Sequence, residues 1–274
     1  MLFALAMLAA TLWTPPHDRP WKDARHAPKP RVGRNIFSGE KELWLAESVA
    51  KLSPSYLVEY KDPEVAEYVQ QLGHYLVEHS AKKAKPFRFV VTADREPNAE
   101  SVGGGTIYVN RGLLQLVDNE DELACLMAHE IGHDEFGHMP KTVTRLFYWL
   151  AGIKHVESRE QIAKGIEEVE ESYRAHPAVL VLEKLSGIKR SDELQADRAA
   201  FFTTFRAGYN PYACVAALKK FDSGKAQLLD FLFSTHPLAA SRAALLKWET
   251  NFVTLPDPAH RHSSAAFDEM KKHI

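Results

Sequence analysis

The sequence predicts a mostly α-helical domain of the α+β class with a small mixed sheet. Three observations point there. Apolar residues recur at helical spacing through most of the chain, as in Val65, Val69, Leu72 and Leu76. Residues 87–110 break that period with β-branched and aromatic runs beside glycines. The chain has 274 residues, of which 45% are hydrophobic and 26% charged, and a chain of that size buries a large core without staples.

The elements follow in order. "MLFALAMLAATLW" is apolar but short of the roughly 20 residues that span a bilayer. It is similar to the apolar part of a secretory signal, with small residues near its end, so export by cleaved signal or short anchor is expected. The alternative is a buried N-terminal segment. Residues 14–37 are rich in Pro, Arg and Lys and read as a linker. Ser38 is placed to cap a helix over 39–51. Asp62 followed by Pro63 starts a helix to about His79. "FRFVVT", 87–92, is a strand, and "SVGGGTIYVN", 101–110, is a glycine turn leading into a second one. A short helix is expected at 111–117.

Asn119 and Glu122 form a capping box for a helix running to about Met139. Residues 140–186 read as mostly helical, with a charged amphipathic piece at 158–174. "SDELQADRAAFFTTFRAG" reads as a helix started by Ser191 or Asp192 and stopped by Gly208. "NPYACVAALKKF" repeats the Asn and Pro start. Helices are expected at 225–233 and 237–248, and the tail from Thr254 reads as polar and loose. The expected organisation is a leader and linker over 1–37, one catalytic domain over 38–250 and a polar tail over 251–274.

The formal net charge of -2 gives no basic excess for nucleic acid. Cys125 and Cys214 fall at apolar positions of expected helices and read as small buried hydrophobes rather than a disulfide. No Cys-x-x-Cys pair exists, which excludes a zinc ribbon.

Chemistry concentrates in "AHEIGHDEFGH", 128–138. His129 and His133 are four apart on a helix, so both imidazoles reach one ion, and Glu130 sits at the edge of that face. This is the H-E-x-x-H arrangement of two zinc ligands and a carboxylate beside the attacking water. Gly132 allows a second backbone to approach closely. A zinc hydrolase needs a third protein ligand. His138 comes five residues after His133 and reads as a helix-end residue or as a support for a ligand. Glu193 in "SDELQAD" is the better third ligand, and Asp197, one turn later, can hydrogen-bond a ligating histidine. Asp192 reads as an exposed acid at a helix start.

With "NRGLLQLVDNEDELACLMAHEIGH", "DELQAD" and "STHPLAASR" in this order, the chain resembles peptidase family M48, the HtpX/BepA-like group of gluzincins, over about residues 38–248. The resemblance implies one zinc ion per chain on His129, His133 and Glu193, Glu130 as catalytic base and Asp197 supporting a ligand. It implies that His236 approaches the metal, either gating it or stabilising the oxyanion, with Arg242 as the other oxyanion candidate. Each has a plainer alternative: a residue near a helix start for His236, and a salt bridge holding the last helix for Arg242. Substrate contacts are implied at Asn98, Ala99, Gly105, Ile107 and Val109, with "TIYV" as the edge strand onto which an extended peptide adds.

The chain departs from the family pattern before that strand. "NAESVGGG" keeps Asn98, Ala99, Gly104 and Gly105 but lacks the aromatic residue and proline often found there. The helical repeats that often follow the peptidase domain are not expected, given the short C-terminal stretch. The resemblance implies a zinc metalloendopeptidase acting on unfolded or misassembled polypeptides, exported to the periplasm or a membrane-associated envelope site, with possible membrane or envelope-assembly partners. The competing readings are a non-cleaving zinc-binding chaperone or adaptor of the same fold, and a metal-free polar helix.

Overall fold

The structure, a computed structural model, describes residues 34–52, 58–81, 86–175, 180–220, 239–251 and 263–274. The N-terminal apolar run, the helix expected at 225–233 and His236 lie outside these residues. Among the described residues, no helix is long and apolar enough to cross a membrane.

Strands β1 (Arg88–Thr92), β2 (Ala99–Gly103) and β3 (Thr106–Asn110) form one sheet in the order β1-β3-β2. β3 runs parallel to β1 and antiparallel to β2. The β2–β3 hairpin turns at Gly104 and Gly105, with φ of 62° and 83°. Two successive positive φ values match a tight turn to the twist of its strands. A Cβ on Gly105 would also lie 2.1 Å from the Pro86 carbonyl oxygen.

This order corrects the edge-strand expectation. "TIYV" is the central strand, so Ile107 and Val109 are paired on both sides and their side chains are buried in the core. The outer strand beside them is β2, "AESVG". Its sequence lacks β-branched density, and pairing with burial along its whole length holds it extended.

Helices cover both faces of the sheet. On one face, Phe89, Val91, Ile107 and Val109 pack with α2 (Pro63–His79), α4 (Glu120–Glu135) and α10 (Ala265–Lys272). On the other, Val90, Val102 and Tyr108 pack with α1 (Glu40–Ala50), α5 (His138–Leu150) and α6 (Arg159–Ala175). The strict alternation is the two-residue period of a strand. Each large apolar side chain fully buried this way contributes about 1.5–3 kcal/mol. A third cluster joins α4 to α7 (Leu180–Arg206), α8 (Ala213–Lys220) and α9 (Ala239–Thr250) through Ala128, Phe201, Phe202, Leu218 and Leu246. The short α3 (Arg111–Leu116) follows β3 directly.

Several boundaries follow the sequence. Asp62 accepts from the N–H groups of Glu64 and Val65, and Asn119 from that of Glu122. Others differ. Ser38 makes no cap; Gly39 occupies that position. The helix expected to reach Met139 stops at Glu135, Gly137 turns left-handed with φ 62°, and His138 opens α5. Ser191 and Asp192 start nothing, because α7 runs continuously from Leu180 to Arg206. Helix-forming residues precede them, and a polar pair in mid-helix is a small cost against a continuous hydrogen-bond ladder. The C-terminal stretch is not loose throughout. Ser264 caps α10, which buries Phe267 and Met270 against α2. The expectation of two unpaired thiols is also corrected: Cys125 on α4 and Cys214 on α8 form a disulfide with Cα atoms 5.3 Å apart. Both lie at apolar helix positions, and only the packing of the two helices brings them within bonding reach.

Candidate metal centre

Helices α4 and α7 build the site. They run antiparallel, so His133 faces Glu193 and His129 faces both Glu193 and Asp197. Gly132 decides how near they come. A Cβ there would meet the Ala199 Cβ at 3.0 Å and the Ala196 Cα at 3.4 Å. The small-residue seam thus lets a carboxylate on one helix reach imidazoles on the other.

His129 Nε2 and His133 Nε2 are 2.9 Å apart. Glu193 brings Oε2 to 3.4 Å from the first and Oε1 to 3.4 Å from the second. These donor atoms lie within 4.8 Å of one another, with His129 and Glu193 buried and His133 half-buried. Ligands about 2.0–2.1 Å from a tetrahedral ion sit roughly 3.3 Å from one another. The Glu193 separations fit that spacing, and the imidazole pair is slightly closer.

The second contacts complete the arrangement. His129 Nδ1 lies 3.0 Å from Asp197 Oδ1, and a carboxylate there favours the proton on Nδ1 and leaves Nε2 for the shared position. Arg242 on α9 donates from Nε to Asp197 Oδ2 at 2.9 Å and lies 2.8 Å from Glu193 Oε2 through Nη1. Burial alone would raise the Asp197 pKa, but the Arg242 charge and the hydrogen bonds hold it at about 2. Burial works against charge on His129, yet the Asp197 and Glu193 carboxylates outweigh it and raise its pKa above 6.5. Arg242, buried as well, is pushed up by the same two carboxylates despite its burial.

Glu130 Oε2 accepts from the Ser101 N–H at 2.9 Å, which ties the base candidate to β2. Glu130, Glu193 and Asp197 are all buried, and Arg242 is the buried cation among them. Buried carboxylates thus outnumber the one guanidinium among these residues, an acidic surplus that suits a bound cation. Two nitrogens and one carboxylate oxygen are also the donor set zinc takes. A small cleft lies beside the centre, with Ala99, Leu113, Leu126 and Leu218 along its apolar side and Glu130 and Arg242 at its polar end.

The structure brings together His129, Glu130, His133, Glu193, Asp197 and Arg242. Ala99 lines the cleft and Asn98 is half-buried at the start of β2, its carbonyl accepting from the Asn110 N–H at 2.9 Å. Gly105 is not presented to a substrate, because its N–H donates to Asp134 Oδ2 at 2.9 Å. Ile107 and Val109 belong to the core, as described above. Asp192 is not an exposed helix start: it lies mid-helix, 3.7 Å from His138 Nε2, and burial raises its pKa.

Asp134 and Gln195 carry more than the sequence reading gave them. Asp134 accepts from both Ser101 Oγ and Gly105, pinning the hairpin to α4; an acid directly after the second histidine was the available signal. His138 opens α5 and lies against His133, as a helix-end residue supporting a ligand would, and it touches Gln195, for which the sequence offered no signal. Burial, then the His133 charge, pushes the His138 pKa well below 6.5.

The sequence profile of Peptidase family M48 matches residues 63–250. The chain is 28% identical over 191 residues to the beta-barrel assembly-enhancing protease of Escherichia coli (strain K12), covering 67% of this chain and 38% of that protein. The corresponding protein of Yersinia pestis is 25% identical over 214 residues, covering 77% and 44%. The mitochondrial metalloendopeptidase OMA1 of Arabidopsis thaliana is 25% identical over 149 residues, covering 54% and 28%. The chain therefore spans less than half the length of these curated relatives.

Proposed function

The chain belongs to peptidase family M48, and on that premise we propose that it is a zinc metalloendopeptidase cutting unfolded or misassembled polypeptides of the cell envelope. The observation that carries this reading is the convergence of His129, His133 and Glu193 on one position, with Glu130 on the same helix. These three residues would hold the ion. The Lewis acidity that activates water and polarises a scissile carbonyl would come from zinc.

The chain's own residues do the rest. Glu130 takes the proton of the attacking water and delivers it to the leaving amine. Its hydrogen bond from Ser101 fixes the carboxylate beside the outer strand, so base and substrate are aligned by one element. Asp197 holds the proton of His129 at Nδ1. Arg242 is engaged by two carboxylates, which makes it an anchor of Glu193 and Asp197 rather than an oxyanion donor. The oxyanion role then falls to His236. An extended peptide would lie along β2, near Asn98 and Ala99, with an apolar side chain entering the adjacent cleft.

Export is supported by two observations. The chain opens with an apolar run, and Cys125 is bonded to Cys214, a pairing that persists in oxidising compartments. The envelope substrate class is supported by the names of the beta-barrel assembly-enhancing relatives. The test is degradation of an unfolded protein by the purified chain, with and without chelator. Cleavage abolished by chelator and restored by zinc is expected. Zinc binding without any cleavage would point to a non-cleaving chaperone or adaptor and overturn the peptidase reading.

A further inference from the structure

We propose that Gln195 and His138 form a two-step hydrogen-bond relay that fixes the tautomer of His133, presenting its bare Nε2 to the metal position. The inference rests on the reading that His129, His133 and Glu193 hold zinc. His138 Nε2 stands 3.0 Å from Gln195 Oε1, a carbonyl oxygen that can only accept. The proton of a neutral His138 therefore sits on Nε2. The Asp192 carboxylate, 3.7 Å from the same nitrogen, favours that placement too.

Nδ1 of His138 is then a bare lone pair. It lies 2.9 Å from Nδ1 of His133. Two bare nitrogens repel at that distance, so His133 carries its proton on Nδ1 and donates. Its Nε2 is left unprotonated, 3.4 Å from Glu193 Oε1. It faces the His129 Nε2 lone pair at 2.9 Å across the metal position, and a cation shared between them would relieve that repulsion, whereas that position does not lie between the two Nδ1 atoms. The two imidazoles of the centre are thus set by different devices. A carboxylate orients His129, and a neutral imidazole and amide orient His133.

The break at Gly137 makes the relay possible. It starts α5 at His138, so the His138 ring packs against the His133 ring with centroids 4.8 Å apart. Had α4 continued, residues five apart would point to different sides of the helix. His138 is buried, so water does not readily take its place. His138 and Gln195 are positioning residues: each acts on the site through His133.

The test combines imidazole ¹⁵N NMR of the metal-free protein with zinc affinity by chelator competition. It compares the wild-type chain with Gln195→Leu, Gln195→Glu and His138→Phe. The wild type is expected to show His133 protonated at Nδ1. Gln195→Leu should mix the tautomers and weaken zinc binding by about 10-fold, within the range for partners that orient a ligand. Gln195→Glu keeps the acceptor and should keep wild-type affinity. Should His138→Phe fail to fold, Gln195→Leu, at a half-buried position, decides the matter alone. Wild-type His133 protonated at Nε2, or a Gln195→Leu variant with unaltered tautomer and affinity, overturns the relay. A wild-type chain that binds no zinc overturns the metal reading instead, and the tautomer of the metal-free protein still judges the relay.

Discussion

Arg242 Nη1 lies 2.8 Å from Glu193 Oε2, so the acidic donor of the metal centre already has a buried cationic partner. The same guanidinium holds Asp197 one turn along α7. A single side chain on α9 therefore sets two positions on another helix. It also offsets part of the negative charge that the site gathers.

Arg242→Ala is expected to leave two buried carboxylates uncompensated and to lower stability by about 3–5 kcal/mol. Arg242→Lys should recover little, because an ammonium cannot fork across two acids. Urea unfolding of metal-free and zinc-loaded protein measures both, and zinc should restore part of the loss. An unchanged midpoint in the metal-free alanine variant would count against the anchoring role.

Glu130→Gln should reduce peptide hydrolysis by about 100-fold or more, the usual contribution of a positioned base. Zinc content should stay at one ion per chain, since Glu130 is not among the three proposed ligands. Metal analysis alongside a cleavage assay separates the two effects. Full activity in this variant would refute the mechanism.

Gly132→Leu should push α7 away from α4. The added carbons meet Ala196 and Ala199, and overpacking of this kind costs about 1–3 kcal/mol. Zinc affinity should fall further than stability, because Glu193 rides on the displaced helix. A variant that binds zinc as tightly as wild type would show that the seam does not control the site.

Removing the Cys125–Cys214 bridge, which closes a sequence separation of 89 residues, should cost about 2–4 kcal/mol. The double Cys125→Ala, Cys214→Ala variant and the reduced wild type should unfold at similar, lowered denaturant concentrations. Equal stability of oxidised and reduced protein would refute this.

His273 donates to Asp62 Oδ2 at 3.1 Å and lies 3.0 Å from Glu64, linking the end of α10 to the start of α2. The hydrogen bond to Asp62 raises its pKa above 6.5, against burial and with help from the nearby acids. A raised histidine pKa adds stability that is complete below about 6.5 and disappears as pH climbs through the folded value. Thermal melting of the wild type should therefore fall between pH 6 and pH 8 relative to His273→Gln. Parallel melting curves across that range would sink the idea.

Much of the site could be read along the chain. His129, Glu130 and His133 share a helical turn, and Glu193 and Asp197 share another, because four-residue spacing is a local property of any helix. The outer strand could not be read so. β2 carries "AESVG", and it is a strand only because β3 lies between it and β1. The break that ends α4 and opens α5 at His138 could not be read either: a left-handed glycine at 137 redirected the chain, and a glycine in sequence does not announce its φ.

By itself, then, the sequence determined the helical majority, the capped starts at Asp62 and Asn119, and the paired donors on two separate helices. Only the tertiary structure decided that those donors meet, that Arg242 spans both acids, that Cys125 reaches Cys214 and that Gln195 lies behind His138. The physical reason is range. Periodicity and caps are fixed within one turn of the chain. Contacts between α4, α7, α8 and α9 depend on how closely whole helices pack, and between α4 and α7 that is set by small residues at Gly132, Ala196 and Ala199.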